Sequence, residues 1–315
     1  MGLFFFVIGV LTLAGIYAIL AMILNLEAGW AGMWDLGLAG LVAVGGYTFI
    51  IVTQTRSDDV ILAPGWPIWA GILCASAAGG LAALIIGLPS LRVRGEYFLI
   101  TTLAFAEVIR QLAVNLSSIT RGTVGFNQFD RPFEAFVEGR AYRVLLLVMV
   151  WLVAALIYLL MRRLVHSPYG RLLRAFRDND SVALSLGKHT NRHRLQTFIL
   201  AGFLYGAVAP IYVWFLRTVT PSIFSSELTF VTWTALVIGG IGSKFGPALG
   251  AVILLLVTEL VSLSQGSAEL AVILASGRFI VLGLVLILVM RYRPAGIITE
   301  QRSLAGASER VREAT

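Results

Sequence analysis

From Leu3 to Leu24 the chain runs without a charged residue, and a helix needs about 20 apolar residues to cross the hydrocarbon core of a bilayer. A cleavable leader would start with basic residues and carry a shorter apolar centre. This segment does neither and reads as a first span. Further apolar windows follow at 35–53, 66–88, 95–116, 143–161, 195–216, 229–241, 247–264 and 270–290. The window 229–241 is short for a crossing and reads as a half-helix or a tilted segment packed in protein. At 58% hydrophobic and 13% charged, no water-soluble globule could hide this apolar surface. Soluble enzymes, secreted domains and disordered chains are excluded. The expected fold is an all-α polytopic membrane protein of about nine or ten transmembrane helices, some broken or short.

The charges orient the chain. Of 24 Lys and Arg residues, 16 fall in one set of alternating loops, eight of these between Arg162 and Arg194, and five fall in the other set. The rule that basic residues stay inside makes the first set and the C-terminus cytoplasmic. Strict alternation then puts the N-terminus outside. The expected organisation is one transmembrane domain over residues 1–293, with a cytoplasmic segment 162–194, an external loop 117–142 and a polar cytoplasmic tail 294–315. A net charge of +7 is accounted for by this asymmetry, and no nucleic-acid partner is expected. The single Cys74 offers no disulfide, and His166, His189 and His193 sit in one basic stretch without carboxylates at ligand spacing. No metal site is expected.

The internal stretch SPYGRLLRAFRDNDSVALSLGKHTNRHRLQTFILAGF is the most informative. A basic amphipathic piece, Arg171 to Arg177 and including Arg174, precedes a second short helix, Ser181 to Leu186. Asp178 or Asp180 could cap that helix, which holds Ala183, and Gly187 stops it. Two readings stand side by side: a peg for a soluble partner, or a basic loop on lipid headgroups.

That segment resembles the coupling segment of ABC importer permeases. GLPSLRVRGEYFLITTLAFAEVIR (87–110), SITRGTVG (118–125), GGIGSKFGPALGA (239–251) and RYRPAGI (291–297) are similar, in order, to signatures of the branched-chain amino acid permeases, and most of all to the M-type membrane subunit of LIV importers. The resemblance implies a second homologous permease, two ATP-binding cassette subunits beneath, a periplasmic or extracellular solute-binding protein above, and the membrane lipid of a bacterial-type inner membrane around. It implies coupling through Arg171, Arg174, Asp178, Asp180, Ala183 and Gly187. The residues agree on one point: Gly187-Lys188 is followed by His189, and Gly242-Ser243-Lys244 breaks the order of a Walker A loop. No cofactor is expected on this chain, which is read as a transport subunit and not an enzyme, with ATP used by partner subunits.

Charges inside spans are functional candidates. Asp35 stands where the family usually has Ser or Asn, and its frequent Gln and His positions are Met33 and Leu38 here. Asp35 reads either as the cap of a broken helix or as a contact for a substrate's ammonium or amide. Glu107 and Arg110 are three apart and can pair; Glu259 could pair with Arg278. These four, Asp35, Glu107, Arg110 and Glu259, are the candidate pathway residues. Arg92, Arg94 and Glu96 read as a snorkelling group at a helix entrance. Gly239, Gly240, Gly242, Gly246 and Pro247 mark a tight turn with close helix contact, or a gate. Trp30, Trp34, Trp66 and Trp69 read as interfacial anchors.

The expected activity is ATP-driven import of branched-chain amino acids or a related small polar solute. Urea or short amides as substrates, and ion-coupled secondary transport through Asp35, Glu107 and Glu259, remain open as alternatives.

Overall fold

The computed structural model describes residues 2–54, 64–92 and 96–263, apart from 128, 130, 135, 136 and 138, and also 283–284, 287–288, 291–293 and 296–299. The helices are α1 (Gly2–Asn25), α2 (Leu38–Thr53), α3 (Ile68–Ser90), α4 (Glu96–Asn115), α5 (Ser117–Thr120), α6 (Arg140–His166), α7 (Pro168–Asp178), α8 (Asp180–Ser185), α9 (Thr190–Leu216), α10 (Ser226–Gly239) and α11 (Gly246–Leu263). Five helical segments among the described residues are long and apolar enough to cross a membrane, and α2, α10 and α11 are shorter apolar helices.

A helix that is hydrophobic all round belongs inside a bundle, and α1 obeys this. Every residue from Ala18 to Leu24, nearly two full turns that face every direction around its axis, is buried, and α6, α9, α10 and α11 pack against it. By contrast, α6 buries Leu146, Val150, Ala154 and Ile157 while Val144, Val148, Leu152 and Leu156 stay exposed at four-residue spacing. That ridge is the outer face of a peripheral helix. Between α3 and α9 the backbones nearly touch: a methyl at Gly79 or at Gly202 would collide with the opposite backbone. Small residues at such contacts let membrane helices approach closely.

The short window at 229–241 is the 14-residue α10. The window at 35–53 yields only the 16-residue α2, because residues 31–37 are not helical. Trp66 and Trp69 are exposed, and Trp34 is half-exposed. Trp30 is a correction: it is 2% exposed, and its indole N–H donates to the Gly242 carbonyl at 3.1 Å. Arg278 and most of the window 270–290 lie outside the described residues, as do Arg94 and the Glu96 side chain.

At one end of the bundle, Phe126 and Val219 form an antiparallel bridge that ties the 117–142 loop to the chain leaving α9. At the other end, α7 and α8 fill the segment between α6 and α9. The start of the tail is pinned there: Ile297 and Ile298 N–H groups donate to the carbonyls of Ile238 and Gly239, at 2.9 and 3.0 Å.

Candidate functional site

The first span does not end cleanly. At Asn25 the α-helix widens into a π-helical turn, Leu26–Trp30, every residue of which is buried. Gly32 follows at φ +66, and the chain crosses unwound to α2. Such a break strands the N–H groups that open α2, and each needs a partner. Asp35 Oδ1 accepts from Gly37 N at 2.7 Å, an Asx turn. Thr102 of α4 accepts from Leu36 N at 3.0 Å, and Thr229 of α10 accepts from Ala39 N at 3.2 Å. The Asp35 carbonyl accepts from the Trp233 indole at 2.7 Å, while the Trp34 ring stacks on Trp233 with centroids 5.2 Å apart. Two helices, α4 and α10, therefore hold the break from outside it.

Two acidic side chains face this interior, and both are fully buried. Asp35 uses one oxygen on Gly37, and its Oδ2 has no hydrogen-bond partner. Glu27, on the π turn, accepts from the Tyr205 hydroxyl of α9 at 3.2 Å, and its Oε1 has no partner. The two carboxylates lie within electrostatic range of each other. A buried carboxylate oxygen without a donor is a costly arrangement. Such an oxygen can receive a proton or a cationic group of a solute.

The π turn is also clamped to the glycine turn between α10 and α11. Asn25 donates from Nδ2 to the Ser243 carbonyl at 2.7 Å and accepts at Oδ1 from Gly242 N at 2.7 Å. Gly240 (φ +111) and Gly242 (φ +82) occupy conformations that L side chains rarely adopt. A methyl at Gly239 or Gly246 would run into the other's backbone. Pro247 falls in the first turn of α11, where its fixed φ suits a helix start.

On the far side of the π turn stands α7. Ser167 caps it, accepting from Gly170 N at 3.3 Å, with Pro168 in the first turn. Its buried face, Gly170, Leu173 and Phe176, rests on the bundle, with Phe176 stacked on His193 at 5.7 Å. Tyr169 donates to the His193 carbonyl at 3.1 Å and shares a bond with Thr197. Burial raises its phenol above the usual range, so the group stays protonated. Arg171 and Arg174 reach back to the His166 and Val165 carbonyls at the end of α6, at 3.4 and 3.3 Å. Arg177 donates to the Gly29 carbonyl of the π turn. Lys244 of the glycine turn donates to His166 Nε2 at 2.9 Å, the acceptor nitrogen once Nδ1–H is on the Arg162 carbonyl at 2.6 Å.

The cap of α8 is a correction. Neither Asp178 nor Asp180 caps it; Asn179 does, accepting from Val182 N at 3.1 Å. Asp178 pairs with Arg177 at 3.1 Å, and Asp180 pairs with Arg194 at 3.2 Å, tying α8 to α9. Ala183 is the buried residue of α8, while Val182, Leu184 and Leu186 are exposed. Gly187 ends the helix at φ +74, with Lys188 N donating to the Ala183 carbonyl at 3.1 Å.

The structure brings together Asp35 and, through the Asn25 clamp, the glycine turn. It sets Glu107 and Arg110 apart: they pair with each other at 2.6 and 2.8 Å on a half-exposed face of α4. Glu259 is half-buried on α11. Sequence reasoning missed Glu27, Asn25 and Tyr205. The signal available was a Glu and an Asn amid residues that never turn polar for long, from Leu24 to Leu38.

Residues 6–290 match a protein family described as the permease component of branched-chain amino acid transport systems. The chain is 28% identical to the high-affinity branched-chain amino acid transport system permease protein LivM of Escherichia coli (strain K12), over 94% of this chain and 70% of that protein. It is also 28% identical to the probable branched-chain amino acid transport permease protein LivM of Methanocaldococcus jannaschii, over 91% of each. Among solved structures it is similar to PsaBC from Streptococcus pneumoniae in complex with Fab. The TM-score is 0.47 at 17% identity, over 96% of this chain and 95% of that one, a likeness too low to support an inference.

Proposed function

Because the chain belongs to the family of branched-chain amino acid transport permeases, we propose that it forms part of the import pathway for branched-chain amino acids, driven by ATP hydrolysed on separate subunits. In this reading two ATP-binding cassette subunits dock on α7 and α8, a homologous second permease completes the pathway, and a solute-binding protein meets the opposite end. The cytoplasm lies on the α7–α8 side, as the basic residues there suggest. No cofactor binds this chain directly.

The observation that carries the reading is the hydrogen bond from Arg177 to Gly29. It joins the segment assigned to motor contact with the break in the first span. From Gly29 the connection runs through Asn25 and Trp30 to the glycine turn, and through Glu27 to Tyr205. A shift of α7 therefore acts on the two elements that could open or close the interior around Asp35. The exposed Val182 and Leu184 of α8, with Leu186 just beyond its end, offer an apolar contact for the motor subunit. Inside, the unpartnered oxygens of Asp35 and Glu27 supply acceptors for the ammonium of an amino acid.

Those same oxygens favour a second reading, in which the chain carries protons or cations with its solute. One experiment separates the two. Proteoliposomes holding the full complex should take up leucine only with ATP inside the motor compartment, and the chain alone under an ion gradient should take up none. Ion-driven uptake by the chain alone would favour the second reading.

A further inference from the structure

At the end of the bundle away from α7 and α8, a cavity of about 360 Å³ lies among the starts of α1 and α6 and the end of α9. Arg131, Arg143 and Arg217 line it, together with Tyr142 and Trp214. Phe5, Ile8 and Leu146 form apolar wall. The arginines are unexpected here, because this end carries the loops poor in basic residues.

Three buried donors on these walls have no hydrogen-bond partner: Arg131 Nη1, the Tyr142 hydroxyl and the Trp214 indole N–H. Tyr142 and Trp214 are each 3% exposed, so bulk water does not serve them. Buried donors left unmade are costly; all three belong to residues that line one cavity, and a small side-chain shift would bring them to an acceptor inside it. The charge has one sign as well. Arg131 is paired with Glu134, but Arg143 and Arg217 have no ion-pair partner among the described residues. Aromatic faces steady two of the guanidiniums, Arg131 over Tyr142 at 4.8 Å and Arg143 over Phe5 at 5.9 Å.

We propose that this cavity binds the phosphate of an anionic phospholipid. Guanidinium groups match phosphate oxygens with paired donors, and a helix end is the depth at which headgroups lie. Immediately beyond Arg143 begins the exposed ridge of α6, Val144, Val148, Leu152 and Leu156, along which the acyl chains lie. A free amino acid fits less well. It brings an ammonium with its carboxylate, and among the described residues no carboxylate lines the cavity to receive it. The same repulsion disfavours a choline or ethanolamine headgroup. This site does not depend on which solute the protein carries.

The test uses the purified full-length chain, with native mass spectrometry of bound phosphatidylglycerol and phosphatidylcholine of the same acyl chains. The wild type is expected to hold phosphatidylglycerol at least about tenfold more tightly, and the R143Q/R217Q variant to lose that preference. Trp214→Phe keeps an aromatic ring and removes one unpartnered donor, and is expected to weaken retention about threefold. It reads the site even if the double variant does not fold. Equal retention of the two lipids, or an unchanged preference in the variants, overturns the proposal. Displacement of the lipid by inorganic phosphate would make this a small-anion site, and displacement by leucine an amino acid site. Either result would also overturn it.

Discussion

Arg177, the last basic residue of α7, donates a hydrogen bond to the carbonyl of Gly29 in the π turn that ends the first span. Residues 148 apart in sequence are thereby joined, and a segment outside the spans gains a grip on the interior. Nearby Gly32 leaves room for the Arg177 stem, whose Cγ would stand 3.1 Å from a methyl there.

Removing that grip should separate motor from pathway. A charge-assisted hydrogen bond contributes about 1.5–3 kcal/mol, so Arg177→Gln is expected to lower ATP-driven uptake about tenfold or more. Membrane abundance should stay within about twofold, since α7 keeps its cap and its buried face. Immunoblots of membranes and uptake in the same cells check both parts.

Asp35→Asn and Asp35→Ala should differ. Asparagine can still accept from Gly37 N, so its thermal stability should stay close to that of the wild type, whereas alanine loses the turn and about 1 kcal/mol. If Asp35 also receives a solute's ammonium, both variants lose uptake. Uptake at wild-type level in Asp35→Asn would leave the residue a cap and nothing more.

Tyr205→Phe leaves Glu27 buried without its one donor. The expected cost is about 1–3 kcal/mol, read as a lower unfolding temperature in detergent. Replacing both partners with apolar groups should recover much of it, because the penalty lies in the orphaned group and not in the bond itself. The E27L/Y205F double variant therefore should unfold at a higher temperature than Y205F alone.

Asn25→Ala should loosen the glycine turn by orphaning Gly242 N and the Ser243 carbonyl, at about 2 kcal/mol or more. Gly239→Ala should be worse, because its methyl meets the backbone of Gly246, which cannot move aside as a side chain could. Limited proteolysis at Lys244 would report the first change and failure to accumulate the second. Gly187→Ala serves as a contrast. It strains only a φ of +74 with open space around it, and about 1 kcal/mol of local cost is expected.

The spans were legible because long apolar windows admit few other structures. The pieces Arg171 to Arg177 and Ser181 to Leu186 match α7 and α8 to within a few residues, and Gly187 marked where the second stops. What escaped was set by contacts distant in sequence. Asn25 and Glu27 lie between two apolar windows, and averaging over a window reads any polar residue there as loop. The polar partners that keep them buried, Gly242, Ser243 and Tyr205, stand some 180 to 220 residues away. Trp30 was misread for the same reason: a tryptophan near a span end suggests an interface, and only the fold shows its indole on Gly242. The cap of α8 was a different failure, between three adjacent cap-forming residues, Asp178, Asn179 and Asp180. Backbone geometry chose Asn179 because it alone is extended there, at φ −157.

The central claim is that motion of α7 reaches the interior through Arg177. The most direct measurement is leucine uptake per ATP hydrolysed in proteoliposomes of the assembled transporter, wild type against Arg177→Gln. The account predicts that the variant still hydrolyses ATP but takes up about tenfold less leucine for each ATP. An unchanged ratio would contradict it.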